Sequence, residues 1–158
     1  MMKYLTLLIA CLFSYVTSFS QNQYEVVSNE PATSVISFKK GTADLLPGSL
    51  PRLQELRSYL SEHKEVTLMR IEAHVAEGDH AQALSEAQAM SVARWLVANG
   101  IDCKRLLPVG FGNTKPILVL GDPRNARISL VTVERSHQRI ASLPQTAGGK
   151  AAGDPCRQ

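Results

Sequence analysis

Val66-Thr-Leu-Met-Arg-Ile-Glu-Ala-His74 sets apolar and β-branched residues at nearly period two, with Met69, Ile71 and Ala73 sharing one face. That alternation predicts a β-strand. From Leu84 to Ala98 the period changes, and Leu84, Val92, Trp95 and Leu96 recur at helical spacing. Their stripe spans about a third of the circumference, as expected for a helix packed on one side. Ser85-Glu-Ala-Gln88 reads as a capping box, the serine oxygen taking a backbone N–H and the glutamine reaching back. Asn99-Gly100 ends the helix, because glycine adopts the left-handed conformation cheaply and Ile101 can fold back as its apolar partner. Leu106 to Phe111 is short, apolar and bounded by Gly112-Asn113, so it reads as a buried strand. Strand, helix and strand in so few residues make a βαβ crossover.

Upstream of this unit, Val35 to Phe38 reads as a first core strand and Gly41 to Pro47 as a loop. Ser49, with Pro51 in the first turn, opens a helix reaching about His63. Leu50, Leu53, Leu56 and Leu60 form its inward stripe, each contributing roughly 1.5–3 kcal/mol if fully buried. The repeat is too short for a coiled coil. Downstream, a loop containing Gly121-Asp-Pro123 leads to a strand at Ala126–Glu134. There Ile128 and Leu130 alternate against Val131 and Val133, which leaves the inward face open. The pattern gives an α/β fold, a two-layer α+β sandwich of βαβαβ type with both helices on one sheet face.

The ends read differently. Residues 1–20 carry Lys3, an apolar run from Tyr4 to Val16 and Ser18-Phe-Ser20, the pattern of a cleaved signal peptide. The run is shorter than the roughly 20 apolar residues a membrane-spanning helix needs. Leu8-Ile-Ala-Cys11 also fits a lipoprotein cleavage box, although the residues after Cys11 stay apolar. Residues 21–34 form a polar leader, residues 35–134 the domain, and residues 135–158 a tail without periodicity that reads as disordered. Across the 158 residues hydrophobic content is 44% and formal net charge +3. That charge is spread without a basic patch carrying interleaved aromatics, so no nucleic-acid partner is implied. Cys11, Cys103 and Cys156 lack metal-site spacing. In an oxidising compartment Cys103 and Cys156 are permitted to pair; two separate thiols fit the sequence equally well.

Ala73-His74, Leu84-Ser85-x-x-Gln88-Ala89-x-x-Val92-x-x-Trp95-Leu96-x-x-x-Gly100-Ile101 and Arg105-Leu106…Gly110-Phe111-Gly112…Pro116-Ile117 resemble the OmpA C-terminal-like domain, the family that includes Pal and MotB. The likeness extends upstream to Ile36-Ser-Phe38…Ala43…Leu46-x-x-Ser49 and downstream to Asn125-Ala-Arg127-Ile128. The resemblance implies a mixed sheet, a non-enzymatic envelope protein in the periplasm or at the outer membrane, and noncovalent binding of peptidoglycan. Envelope proteins are the other partner class it suggests.

In that family the aspartate of G-H-T-D and the arginine of L-S-x-x-R-A clasp the charged end of a diaminopimelate stem peptide. A carboxylate takes the ammonium and a guanidinium forks onto the carboxylate. Here those positions read Ala76 and Gln88, the loop between them is about three residues shorter than is usual in the family, and the first arginine of N-R-R-V is Ala126. Losing two charge-assisted hydrogen bonds costs about 3–6 kcal/mol, a factor of roughly a hundred to ten thousand in affinity. The ligand-binding candidates that remain are His74, Glu77, Asp79, Gln88, Asn125 and Arg127. Glu77 and Asp79 also read, and more readily, as solvated loop acids near a helix start, and Gln88 as the far end of the capping box. His63, His80 and His137 have no ligand-spaced partners, so neither metal nor cofactor is expected. No nucleophile–base motif is present.

Overall fold

The computed structural model of the chain describes residues 35–141 and 148–157. The expected signal peptide, the leader and the alternative at Cys11 lie outside them. Leu50–Glu62 forms α1, Val66–His74 β1, Ala81–Ala98 α2, Leu106–Gly110 β2 and Arg127–Arg135 β3. Two further short strands follow, β4 at Gln138–Arg139 and β5 at Lys150–Ala151. The sheet order is β4-β3-β1-β2-β5. β1 and β2 run parallel, with Met69 opposite Leu106 and Ala73 opposite Gly110, as a helical crossover requires. The remaining pairings are antiparallel, which makes the sheet mixed.

Residues paired across a ladder share a face. Ile71 faces Leu130 and Ala73 faces Ile128, so those β3 residues point toward the helices. They meet Leu53, Leu56 and Leu60 of α1 and Ala89, Val92, Ala93 and Leu96 of α2 in a single core, with half-buried Trp95 packed against it. Both helices therefore cover one face of the sheet. Gly110 permits the closest approach, since a Cβ there would lie 2.5 Å from the backbone nitrogen of Glu86.

Local details depart from the sequence reading. Leu50 is 45% exposed and stands outside the inward stripe. The helical part of that segment begins with a 3-10 turn at Pro47–Ser49, whose buried residue is Ser49. Val35 to Phe38 does not join the sheet; Phe38 forms an isolated antiparallel bridge with Leu45 across a turn in which Gly41 has φ 73°. The expected capping box is absent because α2 starts at Ala81, a turn earlier. Ala81-Gln-Ala are good helix formers and carry the helix back to the loop, leaving Ser85 inside it.

Ser85 has a different task. Its Oγ donates to the Gln82 carbonyl at 2.8 Å and accepts the Gly112 N–H at 2.8 Å, joining α2 to the turn after β2. Ser85→Ala removes that acceptor and leaves a buried N–H without it. The expected loss is about 1–3 kcal/mol of unfolding free energy, read from urea denaturation.

The segment after Arg135 is ordered where the structure describes it, contrary to the expectation of a disordered tail. Ser136 and His137 have φ of 49° and 62°, the two left-handed residues of a tight hairpin turn, and β4 pairs back on β3. β5 pairs with β2 at the opposite edge, Val109 opposite Ala151. Cys156 is disulfide-bonded to Cys103, with the Cα atoms 5.2 Å apart. Gly149 lies so close to Phe111 that a Cβ there would stand 2.6 Å from the ring. The second sheet face is covered as well, and Val109, Phe111 and Val131 are buried there.

Candidate functional site

β1 ends at His74, and the chain turns there into the loop that precedes α2. At this end of the sheet a cleft of about 450 Å³ opens. Its walls come from the 35–41 segment, His74 to Glu77, Leu84 and Gln88 of α2, and Pro123, Ala126 and Arg127 before β3. Backbone bonds set this geometry: Val75 donates to the Gly112 carbonyl at 2.9 Å, and Phe111 to that of Ala73 at 2.9 Å. Much of the lining is apolar, including Ile36, Phe38, Val75, Ala76, Leu84 and Ala126.

Of the sequence candidates, His74, Glu77, Gln88 and Arg127 line the cleft, while Asp79 and Asn125 do not. Asp79 is exposed in the loop before α2. Asn125 is 2% exposed, and its side chain is occupied by backbone. Its Oδ1 accepts the N–H groups of Ile117 and Leu118, and its Nδ2 donates to the Val119 carbonyl, all at 2.9 Å. Gln88 donates through Nε2 to the Thr42 carbonyl at 3.0 Å, so it pins the Lys39–Thr42 turn against α2 instead of closing a cap.

Arg127 is half-buried, and its guanidinium donates to the carbonyls of Asn125 and Lys115, each at 3.1 Å. Burial lowers its pKa and the Glu72 carboxylate opposes this, but it stays a cation at neutral pH. His74 is 3% exposed and stacks on Phe111 at 5.1 Å between centroids. Its Nε2 lies 3.6 Å from Glu72 Oε2, too far for a hydrogen bond. Burial pulls the imidazole pKa below its ordinary value against the raising pull of Glu72, so His74 is largely neutral at pH 7. Glu72 is paired with Arg70 at 2.6 Å. Burial pushes the Glu72 carboxyl up, yet His74 and Arg70 outweigh it and hold the group ionised.

Lys39 and Lys40 also line the cleft, although no motif in the sequence points to them. They sit in the turn before Gly41, far from β1 in sequence, and only the tertiary fold brings them to this end. The cleft therefore holds three cations, Lys39, Lys40 and Arg127, and a single acid, Glu77. Among the described residues no His, Cys, Asp and Glu cluster could hold a metal ion. Glu72, the carboxylate nearest to His74 in these contacts, is tied to Arg70 and so is a poor partner for proton transfer.

A family model described as the OmpA family matches residues 37–127, more than half of the chain, and the chain belongs to that family. The family's domain is a non-enzymatic structural and binding domain that associates with peptidoglycan. Solved structures share the fold. A putative MotB-like protein from Desulfovibrio vulgaris is 22% identical at TM-score 0.53, covering 61% of this chain and 66% of its own. This chain thus spans just under two thirds of that protein's length. The cell wall anchor of the T6SS from Pseudomonas aeruginosa is 23% identical at TM-score 0.53, over 62% of this chain and 75% of its own. An outer membrane protein from Borrelia burgdorferi B31 is 18% identical at TM-score 0.51, over 72% of this chain and 99% of its own. No curated protein sequence matches significantly. Among the described residues no helix is long and apolar enough to cross a membrane.

Proposed function

We propose that this chain is an exported cell-envelope protein whose OmpA-like domain docks noncovalently on peptidoglycan, weakly and with an altered ligand preference. The observation that carries this reading is the cleft itself: its scaffold is in place, but Ala76, Gln88 and Ala126 stand where the family keeps charged groups. Arg127, Lys39 and Lys40 are left to receive a carboxylate, and Glu77 is the one acid in the lining to receive an ammonium. The Cys103–Cys156 disulfide supports export to an oxidising compartment such as the periplasm.

Cosedimentation with purified sacculi tests the reading. Wild type is expected to be retained measurably but weakly, and Arg127→Ala to weaken retention further. Asp79→Ala is expected to change nothing, because Asp79 lies outside the lining. Ala76→Asp combined with Gln88→Arg is expected to tighten binding at least about tenfold, the effect of restoring even one charge-assisted hydrogen bond. Retention of wild type no better than a non-binding control would sink the proposal.

The mostly apolar wall of the cleft favours a second reading, in which a degenerate OmpA-like domain serves as a structural or protein-interaction module without peptidoglycan binding. That reading expects a partner crosslinked in envelope extracts whose recovery is unchanged by digestion of the wall.

A further inference from the structure

Ile117, Leu118, Val119 and Leu120 form an unbroken aliphatic run on the surface, exposed by 62%, 38%, 78% and 69%. Single exposed apolar side chains are ordinary, whereas such a succession marks a contact surface. The run is also held in shape. The buried Asn125 side chain binds the N–H groups of Ile117 and Leu118 and the carbonyl of Val119. The Asp122 N–H adds a bond to that carbonyl at 3.1 Å. The run is thus fixed before any partner arrives, and little ordering entropy is lost on contact. Those three backbone groups already have protein partners, which lowers the cost of leaving water, while the N–H groups of Val119 and Leu120 keep the contact shallow.

Size and charge select the partner. A stable protein interface takes roughly 800 Å² from each side and is anchored by Trp, Tyr or Arg. Four aliphatic side chains fall well short of that area and supply no such anchor. A bilayer boundary asks only for apolar area with cations near the headgroups. No acid lies within the run; of the two beside it, Asp122 is neutralised by Arg124 through contacts of 3.0 and 2.7 Å, and the Glu77 carboxylate, which packs against Gly121, is offset in charge by Lys115. Lys115 flanks the other side, its Nζ 4.2 Å above the Phe111 ring. We propose that residues 117–120 are a membrane-contact loop that inserts shallowly into the apolar boundary of a lipid bilayer. This proposal stands apart from the cleft and does not need peptidoglycan binding.

Residue-resolved amide hydrogen exchange on the full chain tests it, with and without vesicles of mixed phosphatidylcholine and phosphatidylglycerol. The amides of Val119 and Leu120 are expected to exchange at least about tenfold more slowly with vesicles present. The readout is local, so any protection of the apolar run at residues 4–16 is scored separately. Val119→Asp with Leu120→Asp should abolish the protection at the loop while leaving the thermal unfolding midpoint unchanged, because both side chains are solvent-exposed. Equal exchange with and without vesicles overturns the proposal. So does slowing produced by sacculi but not by vesicles, which would make the loop a wall contact.

Discussion

Replacing Cys103 and Cys156 together by serine is expected to lower the unfolding free energy by about 4 kcal/mol in the chain-entropy account of cross-links. The bond closes a loop of 53 residues that contains β2 and β3, so opening it enlarges the unfolded ensemble considerably. Native contacts point the same way. β5 is two residues long and adds two pairs to β2, too little to hold the chain end unaided. The backbone at Gly149 lies directly on Phe111 and beside Val109, so a released segment uncovers an aromatic ring and an aliphatic side chain. Urea unfolding of the oxidised protein against the double serine variant measures the effect. The variant should also bind more of a dye that reports exposed apolar surface. A difference below about 1 kcal/mol would mean that the latched segment opens independently of the sheet and adds little to its cooperativity.

The parts of the fold that were legible share one property: their period persists long enough to be counted. Val66–His74 alternates over nine residues, and the α2 stripe runs over several turns before Asn99-Gly100 stops it. The C-terminal strands have no period, being two residues each, and their hairpin turns at Ser136-His137 without glycine or asparagine. The disulfide depended on a separation between Cα atoms that no spacing along the chain reveals. The capping box misled for a local reason. Ser-x-x-Gln fits a helix start, but the alanines upstream cost nothing to wind, so the hydroxyl of Ser85 was free to bind Gly112 instead. The cleft was legible where it borders β1 and α2, because those elements were placed correctly. It was illegible at Lys39, Lys40 and Asn125. Two of these reach the cleft through a distant turn, and the third spends its amide on the neighbouring loop.

Glu72→Ala is expected to cost about 3–5 kcal/mol, the usual penalty for removing one partner of a buried ion pair. Both side chains of the Arg70–Glu72 pair are 9% exposed, so the change takes the Glu72 carboxylate from a guanidinium that stays charged in a poorly solvated place. Desolvation already opposes the pair, so Arg70→Met with Glu72→Leu is expected to recover most of the loss or to exceed wild type. Equilibrium urea unfolding of the single and double variants decides this, and a single-variant cost below about 1 kcal/mol would contradict the account. The pH profile gives a second check. Glu72 titrates below its ordinary value of 4.5 in the folded chain, so its contribution is full above that pH and is lost as pH falls through the folded value. His74 titrates below its ordinary value of 6.5, so the unfolded chain takes its proton first and stability starts to fall below that pH. Wild type should therefore be level above neutrality, begin to decline below about pH 6.5 and decline further below about pH 4.5. Glu72→Gln should make the lower limb shallower without abolishing it, since Glu65 and Asp122 are also held below their ordinary values. It should also deepen the upper one, because the carboxylate that favours charged His74 is gone.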